Sequence, residues 1–427
     1  MWDTFVYTTP GLYEKMKMLR REIHRYPETA WTEYRTSWLV AQELSRAGFQ
    51  VYLGQDVCRP DSRMGLPSLE VLLECEKRAE SEGAPSGFIE KIRGGKTGVA
   101  GVLRGEKPGP VRVLRFDIDA LPIQEESTDR NREYRSRHVG VMHACGHDGH
   151  TAAGIGAACI LGRERKRLSG EVRLIFQPAE EGCRGARAVI DQGWLRGAES
   201  FFSGHIGMGA ERLGEIAACT EGFLATSKLD LHFQGKAAHA AKAPESGRNA
   251  LLAAAVCTVN AYAISRNGQG EGRINIGRFS GGSGRNIIAD DAYLEAETRG
   301  ENGAVNQYMR DSLRRVAQAS ADMYGVACEI LNQGEAGTAA SSPELARRCR
   351  RAAEGMGMGA GYCEQGSFHA SEDAADLMQK VQEEGGEAAY FLFGTPLAAE
   401  HHQPGFDFDE KVLAVMAEFY SRILLDF

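Results

Sequence analysis

The segment MHACGHDGH, residues 142–150, constrains this chain more than any other, because it sets His143, Cys145, His147 and His150 within eight residues. A thiolate and a neutral imidazole are the side-chain groups best suited to borderline-soft divalent metals. The same stretch adds a carboxylate, Asp148, and QPAEEG at 177–182 adds the adjacent pair Glu180 and Glu181. A metal site beside a spare carboxylate is the minimum needed to split an amide with water. Any one of these residues alone could be a solvated loop histidine, an inert thiol or a surface charge. The whole set, in this order, is hard to read that way.

At 427 residues the chain exceeds a single core and is expected to form two domains. A net charge of −8 argues against nucleic acid or an anionic membrane as partner, while leaving room for a local basic pocket. The N-terminal MWDTFVYTTPGLYEK has no apolar core of signal-peptide length, and no run approaches a membrane span of about 18 apolar residues. The ten cysteines show no CxxC pair and no framework spacing, so buried thiols in a cytoplasmic protein are expected, with Cys145 the exception.

Apolar spacing predicts helices over 12–25 and 33–47 and a tightly packed small-residue helix over 151–161. Strands are predicted at 111–118, 171–177 and 200–206. Strands alternating with helices imply a mixed, largely parallel α/β sheet, on which reactive groups gather at the carboxyl ends of strands. Asp117, Asp119, Glu180, Glu181 and His205 all fall at such ends. From about 222 the order becomes βαββαβ, a ferredoxin-like unit inserted over 222–332, with the first domain formed by 1–221 and 333–427. Segment 53–97, rich in charge, reads as a peripheral excursion with an exposed helix in LEVLLECEKRAE.

Six motifs carry a resemblance that runs essentially end to end: RREIHRYPE (20–28), FDIDALPIQE (116–125), MHACGHDGHTAAGIG (142–156), RLIFQPAEEGCRGARAVID (173–191), GKAAHAAKAPESGRNALLAAA (235–255) and HHQPGFDFDEKVLAV (401–415). On these residues the chain resembles the amidohydrolase branch of the dinuclear aminoacylase/carboxypeptidase family, which cleaves N-acyl amino acids. The resemblance implies two divalent ions, manganese or zinc, held by Cys145 as a bridge and by His147, Glu181, His205 and His402. His402 fits the family's C-terminal ligand better than its neighbour His401. Glu180 is then the general base and acid, and Asp119 orients a ligand from behind. Asp117 stands where wider relatives carry a metal-binding histidine, and the Cys145–His147 pair is expected to take over that role.

The inserted domain is implied to form a twofold dimer, with His239 reaching the partner's active site and Asn286 and Arg299 binding the substrate. The substrate implied is p-aminobenzoyl-glutamate, cleaved to p-aminobenzoate and glutamate, by a homodimer or by a heteromer with a homologous second subunit. Two alternatives remain: other N-acyl amino acids or dipeptides on the same fold, and a non-catalytic partner subunit. The intact set from Cys145 to His402 argues against the last.

Overall fold

The computed structural model describes residues 2–426. In chain order the strands are β1 (Gln50–Leu53), β2 (Val99–Arg104), β3 (Lys107–Asp117), β4 (Ser169–Gln177), β5 (Ala198–Ile206) and β6 (Ile216–Phe223). There follow β7 (Ala225–Gln234), β8 (Ala238–His239), β9 (Gly272–Gly281), β10 (Ile287–Ile288), β11 (Asp291–Gly300) and β12 (Ala327–Ala336), and last β13 (Tyr362–Ala370) and β14 (Glu387–Phe393). The chain divides into two compact units. The first comprises 1–222, 339–369 and 373–427; the second comprises 223–338 and 370–372.

The first unit is built on an eight-stranded mixed sheet of order β1-β2-β4-β3-β5-β14-β6-β13. Its centre, β4-β3-β5-β14, is parallel, while β1, β2 and β6 pair antiparallel on the flanks. Parallel strands point their carboxyl ends the same way, so Asp117, Gln177 and Ile206 finish on one edge.

Two features fix the edge. The helix His147–Arg163 is buried along nearly its whole length. It can lie this close because its small residues leave room: a Cβ on Gly154 would sit 2.6 Å from the Phe116 ring, and one on Gly156 would sit 2.1 Å from Met16 Sδ. The helix starts four residues before the predicted 151, because Gly146 supplies a left-handed cap at φ 88° that a side chain would oppose. Beneath the edge, the fully buried Arg115 pairs with Asp117 at 2.8 Å and Asp373 at 2.9 Å, and donates to Gln177 Oε1 at 3.0 Å. Removing one partner of such a buried pair typically costs ~3–5 kcal/mol, so the geometry of the strand end is stiffly held.

Segment 53–97 departs from expectation. Its helix Leu69–Ser81 is amphipathic rather than exposed. Leu72, Cys75 and Ala79 recur at helical spacing and are buried with Tyr34, Ile89 and Ile92 in a small satellite core. The many charges between them mask that stripe in the composition.

The second unit has the expected βαββαβ order. Its four-stranded antiparallel sheet runs β12-β7-β11-β9, so β9 is an edge strand. Leu229, Leu231 and Phe233 alternate to one face of β7, where Leu294 joins them against Ala253 and Cys257 of the helix Ala250–Ala261 and Leu313 and Ala317 of the helix Gly303–Tyr324. A two-residue bridge, β8 with β10, sets His239 opposite Ile287. Among the described residues no helix is long and apolar enough to cross a membrane, and the nine described cysteines are free thiols.

Candidate metal centre

Cys145 precedes the capping Gly146, and His147 opens the helix behind it. His147 Nδ1 lies 2.9 Å from the carbonyl oxygen of Asp119. A carbonyl can only accept, so Nδ1 carries a proton, and in the neutral ring it is Nε2 that has the lone pair. That Nε2 is buried with no hydrogen-bond partner, and the nearest carboxylate oxygens, Asp117 Oδ1 and Glu180 Oε2, are each 3.8 Å away. His205, near the end of β5, repeats the device: its Nδ1–H donates to the carbonyl of Ile206 at 2.9 Å, and its Nε2 faces Cys145 Sγ at 3.4 Å. Backbone carbonyls that fix an imidazole in this tautomer are the usual support of a metal-binding histidine.

Candidate ligand atoms of Cys145, His147 and His205 lie within 4.8 Å of one another, and so do those of Cys145, Glu181 and His402. Cys145 is common to both groups. His402 Nε2 is 3.4 Å from Glu181 Oε1. Its backbone N–H donates to the carbonyl of Ala144 at 2.8 Å, and its φ of 63° is left-handed. The neighbouring His401 points elsewhere, donating through Nε2 to the carbonyl of Ile206 at 3.0 Å.

Adjacent residues on a strand face opposite ways, so Glu180 and Glu181 can serve one centre only in a turn. Ala179 at φ 57° and Gly182 at φ 87° make that turn, and Cys183 N closes it onto the Glu180 carbonyl at 2.7 Å. A non-glycine residue held there costs on the order of 1–3 kcal/mol and persists only where its surroundings enforce it. Asp119 is the enforcer: Oδ1 accepts from Glu180 N at 3.0 Å and Oδ2 from Glu181 N at 2.9 Å. Its own position is set two residues beyond the end of β3.

The electrostatics favour bound positive charge. His402 is pushed up to about 10 by Cys145 and Glu181, against the opposing effect of burial. Burial lowers His147, but Asp117 and Cys145 outweigh it and raise its pKa well above the ordinary value. Burial, reinforced by His150 and His401, holds His205 well down and keeps it neutral. Divalent cations would therefore displace protons from the first two. Sulfur, nitrogen and carboxylate donors together suit a divalent metal of borderline softness.

The structure also gathers residues to which the sequence reading gave no role. His150 Nδ1–H donates to Asp117 Oδ1 at 2.5 Å, and its Nε2 accepts from Ile206 N at 3.0 Å. Asp117 thus backs the centre through His150 while Arg115 holds Asp117. Behind the helix start, Arg20 Nε pairs with Asp148 at 2.8 Å and His24 Nδ1 with the same carboxylate at 2.7 Å. The i,i+3 spacing of His147 and His150 and the i,i+4 spacing of Arg20 and His24 were the available signals.

The remaining candidates belong to the second unit. His239 is exposed, and its Nδ1 accepts from Ala241 N at 3.3 Å and Lys242 N at 3.2 Å, which places the proton on Nε2. The carbonyl of Asn286 accepts from Ala240 N at 3.0 Å, and Arg299 pairs with Glu297 at 3.0 Å.

Comparison with known proteins adds the following. The sequence pattern of Peptidase family M20/M25/M40 matches residues 113–426. The chain is 43% identical over 422 residues to a p-aminobenzoyl-glutamate hydrolase subunit of Escherichia coli K12, covering 98% of this chain and 97% of the relative. It is 41% identical over 421 residues to indole-3-acetyl-aspartic acid hydrolase of Enterobacter agglomerans, covering 97% and 96%. The crystal structure of an aminobenzoyl-glutamate utilization protein from Klebsiella pneumoniae superposes with a TM-score of 0.84 at 36% identity, covering 98% of this chain and 96% of that one.

Proposed function

The chain belongs to Peptidase family M20/M25/M40 and is an amidohydrolase, and we propose that it cleaves p-aminobenzoyl-glutamate to p-aminobenzoate and glutamate at a centre of two divalent cations. The observation that carries this reading is the position of Cys145 in both ligand groups, one with His147 and His205 and one with Glu181 and His402. In this assignment Cys145 would serve both cations, with His147, Glu181, His205 and His402 as the further ligands. The cations, manganese or zinc, would polarise the scissile carbonyl and lower the pKa of water.

The chain's own groups then do the following. Glu180 takes a proton from the attacking water as its oxygen bonds to the carbonyl carbon. It returns that proton to the amide nitrogen as the C–N bond breaks, releasing the amine and the carboxylic acid, which loses its remaining proton to solvent. Asp119 holds Glu180 and Glu181 at the centre through their amides. His239 serves as an oxyanion donor for a partner subunit, and Arg299 with Asn286 binds the glutamyl carboxylate. A homodimer through the second unit is supported by its edge strand β9 and by exposed Leu252, Val259 and Tyr262 on and just beyond one helix. The Escherichia coli relative is by name one subunit of its hydrolase, which supports a heteromer as the alternative assembly.

The 41% identity to an indole-3-acetyl-aspartic acid hydrolase favours a second reading, an arylacetyl-aspartate substrate. A hydrolysis panel decides between them: p-aminobenzoyl-glutamate, indole-3-acetyl-aspartate and N-acetyl-alanine, each with Mn²⁺ and with Zn²⁺. Chelation should abolish turnover and readdition restore it, with the first substrate preferred. Equal turnover of the alanine conjugate refutes the substrate, and full activity of metal-free protein refutes the centre.

A further inference from the structure

We propose that a cavity of about 580 Å³ in the first unit, walled by Met208, Phe368, Leu397 and His401, receives the acyl half of the substrate and selects neutral aromatic acyl groups. This rests on the amidohydrolase reading above and adds which half of the substrate lies where.

The cavity adjoins the candidate metal centre. His401, part of its wall, has its ring 5.2 Å from that of His205, and the Phe368 ring is 6.2 Å from His205. The volume falls within the ~300–1,000 Å³ typical of small-molecule sites and is ample for a single aromatic ring.

Charge decides which half enters. Glu211 and Glu400 line the cavity, and its described lining residues include no lysine or arginine. A glutamyl group with two carboxylates would meet two like charges from the lining and no lysine or arginine there to pair with. A neutral acyl group meets apolar walls instead: Met208, Phe368, Pro396 and Leu397 offer the faces and edges on which an aromatic ring packs. The same two carboxylates are acceptors for an N–H on the far side of such a ring, as a p-amino substituent would provide.

The backbone supports a built site. Met208 at φ 58° and His369 at φ 57° both line the cavity in the left-handed region, which non-glycine residues leave unless held. Neither belongs to the ligand groups, so the strain there is separate from the metal centre.

The test uses full-length, metal-loaded protein with Leu397→Trp and Met208→Trp, each filling the cavity from a half-buried position. The readout is the ratio of kcat/KM for N-(4-aminobenzoyl)-L-glutamate to that for N-acetyl-L-glutamate. That ratio is expected to fall about tenfold or more in each variant, because only the larger acyl group needs the filled space. A fold defect lowers both substrates together and leaves the ratio intact, so an unchanged ratio in both variants overturns the proposal. Direct titration with p-aminobenzoate needs no turnover: binding to wild type, weakened about tenfold by Leu397→Trp, is expected. Equal binding to wild type and variant also overturns the proposal. If wild type binds p-aminobenzoate but hydrolyses neither conjugate, the functional reading fails while the cavity assignment stands.

Discussion

Replacing Asp119 by Asn tests the central structural claim, that one carboxylate holds both glutamates at the centre. The change is nearly isosteric, but an amide has one accepting oxygen where the carboxylate has two. Either Glu180 N, now 3.0 Å from an acceptor, or Glu181 N, now at 2.9 Å, will face an NH2 donor. The loss is one hydrogen bond to a charged group, with its N–H left without a partner, about 1–3 kcal/mol. The turn through Ala179 is already strained, so relaxation should carry the glutamates away from His147 rather than leave the strain in place. Groups that orient metal ligands typically cost ~10–100-fold in metal affinity or activity when changed. We therefore expect Asp119→Asn to weaken metal binding about 10–100-fold by chelator competition, and to lower kcat/KM by roughly two decades at saturating metal. The melting temperature should fall only modestly. Metal affinity and kcat/KM both within about threefold of wild type would refute the clamp.

The two glutamates should separate: Glu180→Gln is expected to keep its metal while kcat falls by roughly two to four decades, and Glu181→Gln to lose metal, as read by metal analysis beside steady-state kinetics. Identical behaviour would refute the division of roles. Mixing inactive His239→Ala with inactive Glu180→Gln should regain activity after subunit exchange, because one site of the mixed dimer then holds both intact residues. No recovery after demonstrated exchange would place His239 in its own protomer's chemistry or in none. Burial, with help from Cys328, raises the Cys257 thiol from 9.0 to about 12. The folded state therefore holds a proton that the unfolded chain releases, so its contribution is present below pH 9.0 and is lost as pH rises toward 12. Cys257→Ala should flatten the alkaline arm of the denaturation curve for the second unit, and an unchanged arm would refute the assignment.

Local pattern determined much of this protein. Period-2 alternation in β7 and helical spacing in the two helices beside it specify the βαββαβ unit, since each element buries one face by its own periodicity. The donors around Cys145 were likewise legible, because a thiol, imidazoles and a Glu-Glu pair at these spacings have few other uses together. Composition misled where charge outnumbered a narrow apolar stripe, as in Leu69–Ser81. The flanking strands β2, β6 and β13 left no distinct signal, since their register is set by neighbours distant in sequence. Tertiary structure alone decided the rest. The resemblance pointed to His402 over His401, but only the structure shows its Nε2 facing Glu181 and its backbone N–H bonded to Ala144. Asp117 and His150 became supports of the centre only when β3 and the helix His147–Arg163 came together. A residue's type announces what it can do, but which atom it offers and to whom depends on hydrogen bonds between segments far apart in the chain.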